Sequence, residues 1–273
     1  MSMFINTNTD ALVAENNLNK TESSMSTAMT DLSSGLRINT AADDAAGYSI
    51  SEDLTAQVNG LNQATSNAQD AVSLVQTADG ALNDVQQMLQ RIRELAVEYN
   101  GGTLDTADQN AIVSEVNQLA SQIDQIGSQS QFNGISLFAA GTLTFQVGAN
   151  DGDALSVSLT ALTGSGGIIT GVDSISTSLG SSTVLSQIDT MINSVSSEAS
   201  QLGAVQNRLS YTLDNLSTYS ENLSSAQSTV QDVDMASEMT QYTQEQVLEQ
   251  AGVSMLSQAE QQPQMVLKLI QAA

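Results

Sequence analysis

The side chains that most often carry out chemistry are missing from this sequence of 273 residues. It has no histidine and no cysteine, so it lacks the usual general base, the commonest zinc ligand, a thiolate nucleophile and any disulfide framework. What remains is carboxylate chemistry, carried by 30 acidic residues. Glycoside hydrolysis by an acid pair survives those absences in principle. Sugar-stacking aromatics are scarce, however, with four Phe, five Tyr and no Trp, and no acidic pair stands out as a dyad. Two acidic pairs sit where helices are expected to begin or end: Asp43 and Asp44, directly before Ala45 and Ala46, and Asp232 with Asp234. Carboxylates so placed favour a helix N-terminus, accepting from its free N–H groups and complementing its dipole. Calcium is the alternative, but it needs about six or more oxygens in one place. Capping is the expected role, with no catalytic residue, cofactor or metal, so the chain does not read as an enzyme.

Six basic residues, Lys20, Arg37, Arg91, Arg93, Arg208 and Lys268, stand against the acidic ones and leave a formal net charge of -24. Nucleic acid and anionic membranes bind through a basic footprint and are not expected partners. The opening MSMFINTNTDALVAENNLNK lacks the basic and apolar regions of a secretory leader. No run of about eighteen apolar residues offers a membrane span. If the chain leaves the cell, the expected route is one that reads an unfolded N-terminus.

With 40% hydrophobic residues the chain should fold, from a core of Leu, Ile, Val, Met and Ala that suits helix seams. Apolar residues recur three and four apart at Leu61, Ala64, Ala68, Ala71, Val75, Ala78, Leu82, Val85, Leu89, Ile92, Ala96 and Tyr99, a sustained heptad row. A second row runs Ile188, Met191, Val195, Glu198, Leu202, Val205, Leu209, Thr212, Leu216, Tyr219, Leu223, Ala226 and Val230. A third, Ile112, Val116, Leu119, Ile123 and Ile126, is expected to close at Gly127. Tyr99 and Tyr219 sit in these rows and are expected in the core. A helix over 54–99 is about 70 Å long, against a radius of gyration of about 19 Å for a compact globule of this size. The expected fold is therefore mainly α: a long helical coiled-coil rod, in which the chain goes out and returns, with a small β-hairpin region.

The hairpin is expected after the turn QFNG, in the alternation of Leu143, Phe145 and Val147 and of Leu155, Val157 and Leu159 around GANDGD. Residues 163–183 are rich in Gly, Ser and Thr and read as a loop or short β excursion without helical periodicity. Their hydroxyls either carry O-linked sugars or form an unmodified polar loop. The outer segments carry weaker stripes, Leu18, Met25, Met29, Leu32 and Leu36 at one end, and Leu248, Ala251, Met255, Ala259, Val266 and Ile270 at the other. With Gly35, Gly252 and Pro263 among them, these helices should order only on packing against others. Partner binding is expected there.

These residues also spell out family motifs. FINTNTDAL (Phe4 to Leu12), NNLNK (Asn16 to Lys20), LSSGLRIN (Leu32 to Asn39), DDAAGYSIS (Asp43 to Ser51) and LQRIRELAVE (Leu89 to Glu98) closely resemble bacterial flagellin. So do QLGAVQNRL (Gln201 to Leu209), DVDMASEM (Asp232 to Met239) and QAGVSMLSQAEQQPQMVLKLI (Gln250 to Ile270). The resemblance covers about residues 1–148 and 184–273. In two places the sequence departs from the family pattern: TAADDAAG has no basic residue before its paired Asp, and the chain ends IQAA.

The resemblance implies a filament subunit for swimming motility, exported through the flagellar channel, polymerised under a cap and located outside the cell. Residues 1–43 and 234–273 would be filament-core helices that pair in the filament and are disordered in the free monomer, with LSSGLRIN as the spoke beyond them. Residues 44–183 and 184–233 would form the surrounding tube, and the loop at 163–183 would replace variable outer domains. The polymerisation stripes would be Leu18, Met25, Leu32, Leu36, Leu248, Met255, Val266 and Ile270. Implied partners are other copies of the chain, filament cap and hook-junction proteins, and an export chaperone at the C-terminal helix. Gln90, Arg91, Leu95 and Glu115 match positions recognised by an animal Toll-like receptor; their plainer role is in subunit contacts, with Arg91 paired to a neighbouring carboxylate. Alternatives are a hook-filament junction protein, which fills a short ring, and a secreted coiled-coil adhesin that does not polymerise. A flagellin-like peptidase is disfavoured by the absence of histidine.

Overall fold

A computed structural model describes residues 7–164, 167–169 and 171–272, except for the side chains of residue 173 and of 265–272. The chain is mainly helical, with two small antiparallel hairpins. The elements are α1 (Thr9–Ser34), α2 (Ala45–Tyr99), α3 (Thr106–Gln129), β1 (Gln131–Phe132), β2 (Ile135–Ser136), β3 (Gly141–Gln146) and β4 (Ala154–Leu159). A 3-10 turn (Val172–Ser174), α4 (Ile175–Ser178), α5 (Val184–Gln231) and α6 (Met235–Ala272) complete the order. They divide into two compact units, Gln57–Asn222 and the paired segments Met1–Ala56 and Leu223–Ala273.

In the unit Gln57–Asn222 the apolar row of α2 is the spine. Every row member from Leu61 to Ala96 is buried, and Tyr99 is half-buried. Burying each Leu, Ile or Val side chain is worth about 1.5–3 kcal/mol. Ile112, Val116, Ala120 and Ile123 of α3 pack into the same core, as do Ile188, Met191, Val195, Leu202 and Leu209 of α5. The α5 row thins as it proceeds. Its members seven apart, Val195, Leu202, Leu209 and Leu216, stay buried, while the alternate positions pass from Val205 and Thr212, half-buried, to an exposed Tyr219. Tyr219, expected in the core, is 44% exposed; its position follows the heptad, but on that side α5 buries less with each turn.

Two further expectations are corrected. Gly127 does not end α3, which runs on to Gln129. A Cβ at Gly127 would come within 3.3 Å of the Leu162 Cβ, so the glycine lets the chain after β4 lie close against the helix. Residues 163–183 are not a loop without periodicity. Ile169, Val172, Ile175 and Leu179 recur at helical spacing, and all four are buried, Val172 in the 3-10 turn and Ile175 in α4. The Gly and Ser between them conceal an apolar plug.

The main hairpin forms as expected, β3 pairing with β4 in the register Leu143 to Val157 and Phe145 to Leu155. Leu155, Val157 and Leu159 point into the core, and Asn67 of α2 donates to the Gln146 carbonyl at 3.0 Å. The QFNG turn closes the smaller hairpin β1–β2, with Asn133 and Gly134 both at positive φ, the pairing that a tight two-residue turn requires.

In the second unit α1 and α6 run antiparallel. Leu18 covers Gly252, whose missing side chain leaves a Cβ position only 3.3 Å from the Leu18 Cδ1. At the far end the Val233 N–H donates to the Gly35 carbonyl at 3.1 Å. Gly35, left-handed at φ 74, caps α1 and turns the chain into a bridge between Leu36 and Asp232. There the Arg37 N–H reaches the Gln231 carbonyl at 2.7 Å, and its guanidinium reaches the Val230 carbonyl at 2.8 Å. A cation on the orphan carbonyls at the end of α5 is favourable to the helix dipole.

The acidic pairs divide their work. Asp44 accepts from the N–H groups of Ala46 and Gly47, both at 3.0 Å, and caps α2. Asp234 does the same for α6 through Ala236 and Ser237. Asp232 instead accepts from the Ser228 hydroxyl at 2.6 Å. Asp43 holds the loop before α2, accepting from the Thr40 N–H at 2.8 Å, the Asn39 N–H at 3.1 Å and the Thr40 hydroxyl. The backbone bonds from Thr40 and then Asn39 hold its pKa below the ordinary carboxylate value.

Two outcomes are expected. Leu89→Ala, at a fully buried site, should lower the urea-unfolding free energy by about 2–5 kcal/mol, whereas Tyr219→Ala should change it by under about 0.5 kcal/mol; comparable losses would place Tyr219 in the core after all. Because the folded-state pKa of Asp43 is lowered, its contribution is complete above the ordinary carboxylate value and is lost as pH falls through the lowered one. Amide-exchange protection at Thr40 should drop over that range, and Asp43→Asn should remove the step; a step that persists in D43N belongs to another group.

Candidate functional site

An apolar surface open to solvent lies on the α1–α6 pair. The side of α1 turned to α6 runs Ala11, Ala14, Leu18, Thr21, Met25, Ala28 and Leu32; Ala28 is buried and the others are half-buried. The facing side of α6 is Tyr242, Glu245, Glu249, Gly252, Leu256, Ala259 and Pro263, all half-buried. Of the C-terminal stripe expected from sequence, Ala259 lies on this facing side, whereas Leu248, Ala251 and Met255 lie one position earlier and face outward, with Met255 64% exposed. The physical reason is close approach: Gly252 and Ala259 let α1 come near, and Leu248 and Met255 are left at the rim.

Among the proposed stripe residues, then, Leu18, Met25 and Leu32 are half-buried against α6, and Leu36 is half-buried in the bridge to Asp232. Leu248 and Met255 are open to solvent. The side chains of Val266 and Ile270 lie outside the described residues. Further apolar residues, unmarked in the stripe reading, share the exposure: Leu12 and Val13 on α1, and Met235, Met239, Val247 and Val253 on α6. Between the helices runs an open groove of about 490 Å³, walled by Val13, Ala14 and Leu18 on one side and Leu248, Ala251 and Met255 on the other. Such a half-filled cleft, mainly apolar with Asp10, Asn17 and Thr21 along one wall and flanked by exposed Leu, Val and Met, can bind another amphipathic helix.

The second predicted site is on α2 and α3. Arg91 donates to Glu115 at 2.9 Å and to Glu94 at 3.2 Å, and both bonds, the Glu115 one foremost, raise its pKa. Arg93 donates to Asp189 of α5 at 2.7 Å, with the same effect on its own pKa. Gln90, Arg91 and Glu115 are exposed together. Leu95 does not join them: it is 2% exposed and packs in the core, because it lies on the buried side of α2 beside Ile92 and Ala96. Among the described residues no group of three acidic side chains converges to hold a metal ion.

Sequence comparison places this geometry. Residues 5–142 match the family model described as the bacterial flagellin N-terminal helical region, and residues 185–270 match the bacterial flagellin C-terminal helical region. A flagellin from Salmonella muenchen is 48% identical over 164 residues, 60% of this chain and 32% of that one. A flagellin from Serratia marcescens is 46% identical over 160 residues, 58% of this chain and 46% of its own. The chain thus spans about a third to under half of the length of these curated relatives. Among solved structures, one described as a flagellar hook-associated protein from Vibrio parahaemolyticus has the same fold, with a TM-score of 0.50 and 15% identity, over 70% of this chain and 97% of that one. On the two family matches, which together take in both long-helix regions and both ends of the terminal pair, the chain belongs to the bacterial flagellin family.

Proposed function

We propose that this chain is a structural subunit that polymerises into the bacterial flagellar filament, outside the cell. The observation that carries the reading is the α1–α6 pair, which leaves Val13, Val247, Leu248, Val253 and Met255 in water. Each such side chain contributes up to about 1.5–3 kcal/mol when a neighbour covers it, and a repeating contact between unlike faces extends into a filament where its rotation does not close a ring. Residues 1–43 and 234–273 are then the filament core. Residues 44–183 and 184–233 form the tube around it, held by the α2, α3 and α5 seams.

The same reading assigns the other partners. Other copies cover the exposed flanks, cap and hook-junction proteins meet the filament ends, and an export chaperone shields the C-terminal helix before assembly. Gln90, Arg91 and Glu115 serve subunit contacts and are the surface a host Toll-like receptor would meet on a free subunit. A hook-filament junction protein is the second reading, favoured by the fold shared with the Vibrio chain.

Seeding dilute chain with sheared filament fragments tests this. Long filaments are expected from the natural sequence, and short rings alone would favour the junction protein. Leu248→Lys with Met255→Lys should stop growth while leaving the urea unfolding of residues 57–222 unchanged, and growth at the natural rate would remove the surface from the reading. With a net charge of -24 per subunit, growth should speed up as salt rises through about 0.1 M, where the screening length is about 10 Å; insensitivity to salt would mean that the acidic residues stand clear of the interfaces.

A further inference from the structure

The chain has one proline, and it lies inside a helix, at Pro263 of α6. Proline has no N–H, so the carbonyl four residues earlier, that of Ala259, loses its helical partner. That carbonyl is nonetheless satisfied. The Asn8 side chain donates to it through Nδ2 at 2.8 Å, across 251 positions of sequence. The Oδ1 of the same amide accepts from the Ala11 N–H at 3.1 Å and caps α1. One side chain closes the first turn of α1 and repairs the break in α6.

We infer that Asn8 is a register-positioning residue, which fixes how far α1 slides along α6 by taking the carbonyl that Pro263 releases. The apolar contacts cannot do this alone. On α1 the inner face repeats with a period of seven, Ala14, Thr21 and Ala28 in one row and Ala11, Leu18, Met25 and Leu32 in the other, so a slip of one heptad sets similar residues against α6 again. The polar pair does not repeat. An N-cap occurs once in α1, and only one carbonyl of α6 is freed by a proline. A single polar residue sets register in coiled coils in the same way, by making every other alignment leave a buried group unpaired. The three contacts that mark the alignment agree: Asn8 with Ala259, Leu18 with Gly252, and Gly35 with Val233. A slip of seven residues would move the Leu248–Met255 flank by about 10 Å along α1, so under the filament reading the pin sets where a neighbour finds that flank.

The chain has no cysteine of its own, and a Cβ at Gly252 lies 3.9 Å from the Leu18 Cβ, within disulfide reach. Leu18→Cys with Gly252→Cys therefore reports the register, as the oxidation equilibrium of the full chain in dilute glutathione buffer. Asn8→Asp keeps the capping oxygen but loses the donor, and Pro263→Ala returns an N–H to the Ala259 carbonyl. With Pro263 present, N8D should lower the cross-linking equilibrium about fivefold to tenfold, the size expected for stranding a partly buried carbonyl; with P263A it should change it less than about twofold. An equal effect in both backgrounds would reduce Asn8 to a helix cap, and no effect in either would remove it from register altogether. The measurement needs no polymer. A chain that cross-links as expected yet fails to grow filaments would overturn the filament reading and leave the pin in place.

Discussion

A helix whose apolar residues recur three and four apart can hide only a strip of its circumference, and everything beside that strip stays in water. This chain consists largely of such helices, with 3% aromatic residues to broaden any contact. The single strip on α2 has to serve α3, α5, the β3–β4 hairpin and the plug at 169–179 at once. The rest of the fold follows from that scarcity. The hairpin exists to bring Leu155, Val157 and Leu159 onto a core that the helices alone do not close, and Gly127 is small because the chain after the hairpin must lie against α3.

The terminal pair faces the same constraint with less to work with. Its inner contact spaces a few larger apolar residues, Leu18, Met25, Leu32 and Leu256, among Ala, Gly, Thr and Glu, and all of it but Ala28 is only half-buried. Three polar arrangements make up the difference: the Leu36–Asp232 bridge, the Arg37 guanidinium on the Val230 carbonyl of α5, and the Asn8 amide. Other large side chains, among them Val13, Val247, Leu248, Val253 and Met255, are turned outward, where a separate helix can reach them. A pair that spent those residues on itself would be more stable alone and would have nothing to offer a neighbour.

The α2 row could be read from the sequence residue by residue, because twelve apolar residues in unbroken three-four spacing fit one face of a helix and no strand or loop, and each member from Leu61 to Ala96 is buried. The same spacing on α5 was a poorer guide beyond Leu216. Periodicity tells which residues share a side, not whether anything packs on that side, and Tyr219 shares the side but meets little. The plug was missed because Ser, Gly and Thr outnumber Ile169, Val172, Ile175 and Leu179 in its window and hide their spacing. On α6 the stripe read from sequence divides, because hydrophobicity points to Leu248 and Met255, which face outward, while close packing selects Ala259, which is in the stripe, and Gly252, which is not. Leu95 sat in a recognisable motif, and only the geometry of α2 turns it inward. Asn8 and Pro263 each carried a plain local signal, a helix cap and a helix breaker; that each answers the other could not be seen before the two helices met.

That meeting has a consequence for the order of events during synthesis. Asn8 is made well ahead of its partner carbonyl, which follows 251 positions later. The helical contacts of α2 and α3 are local and form early, whereas the α1–α6 contact closes a far longer loop and must bear its closure entropy last. A chain just short of Ala259 holds every residue of the unit 57–222 but lacks the carbonyl that Asn8 takes in the terminal pair. The geometry itself checks that both helices have been made, before any neighbour is offered a surface to hold.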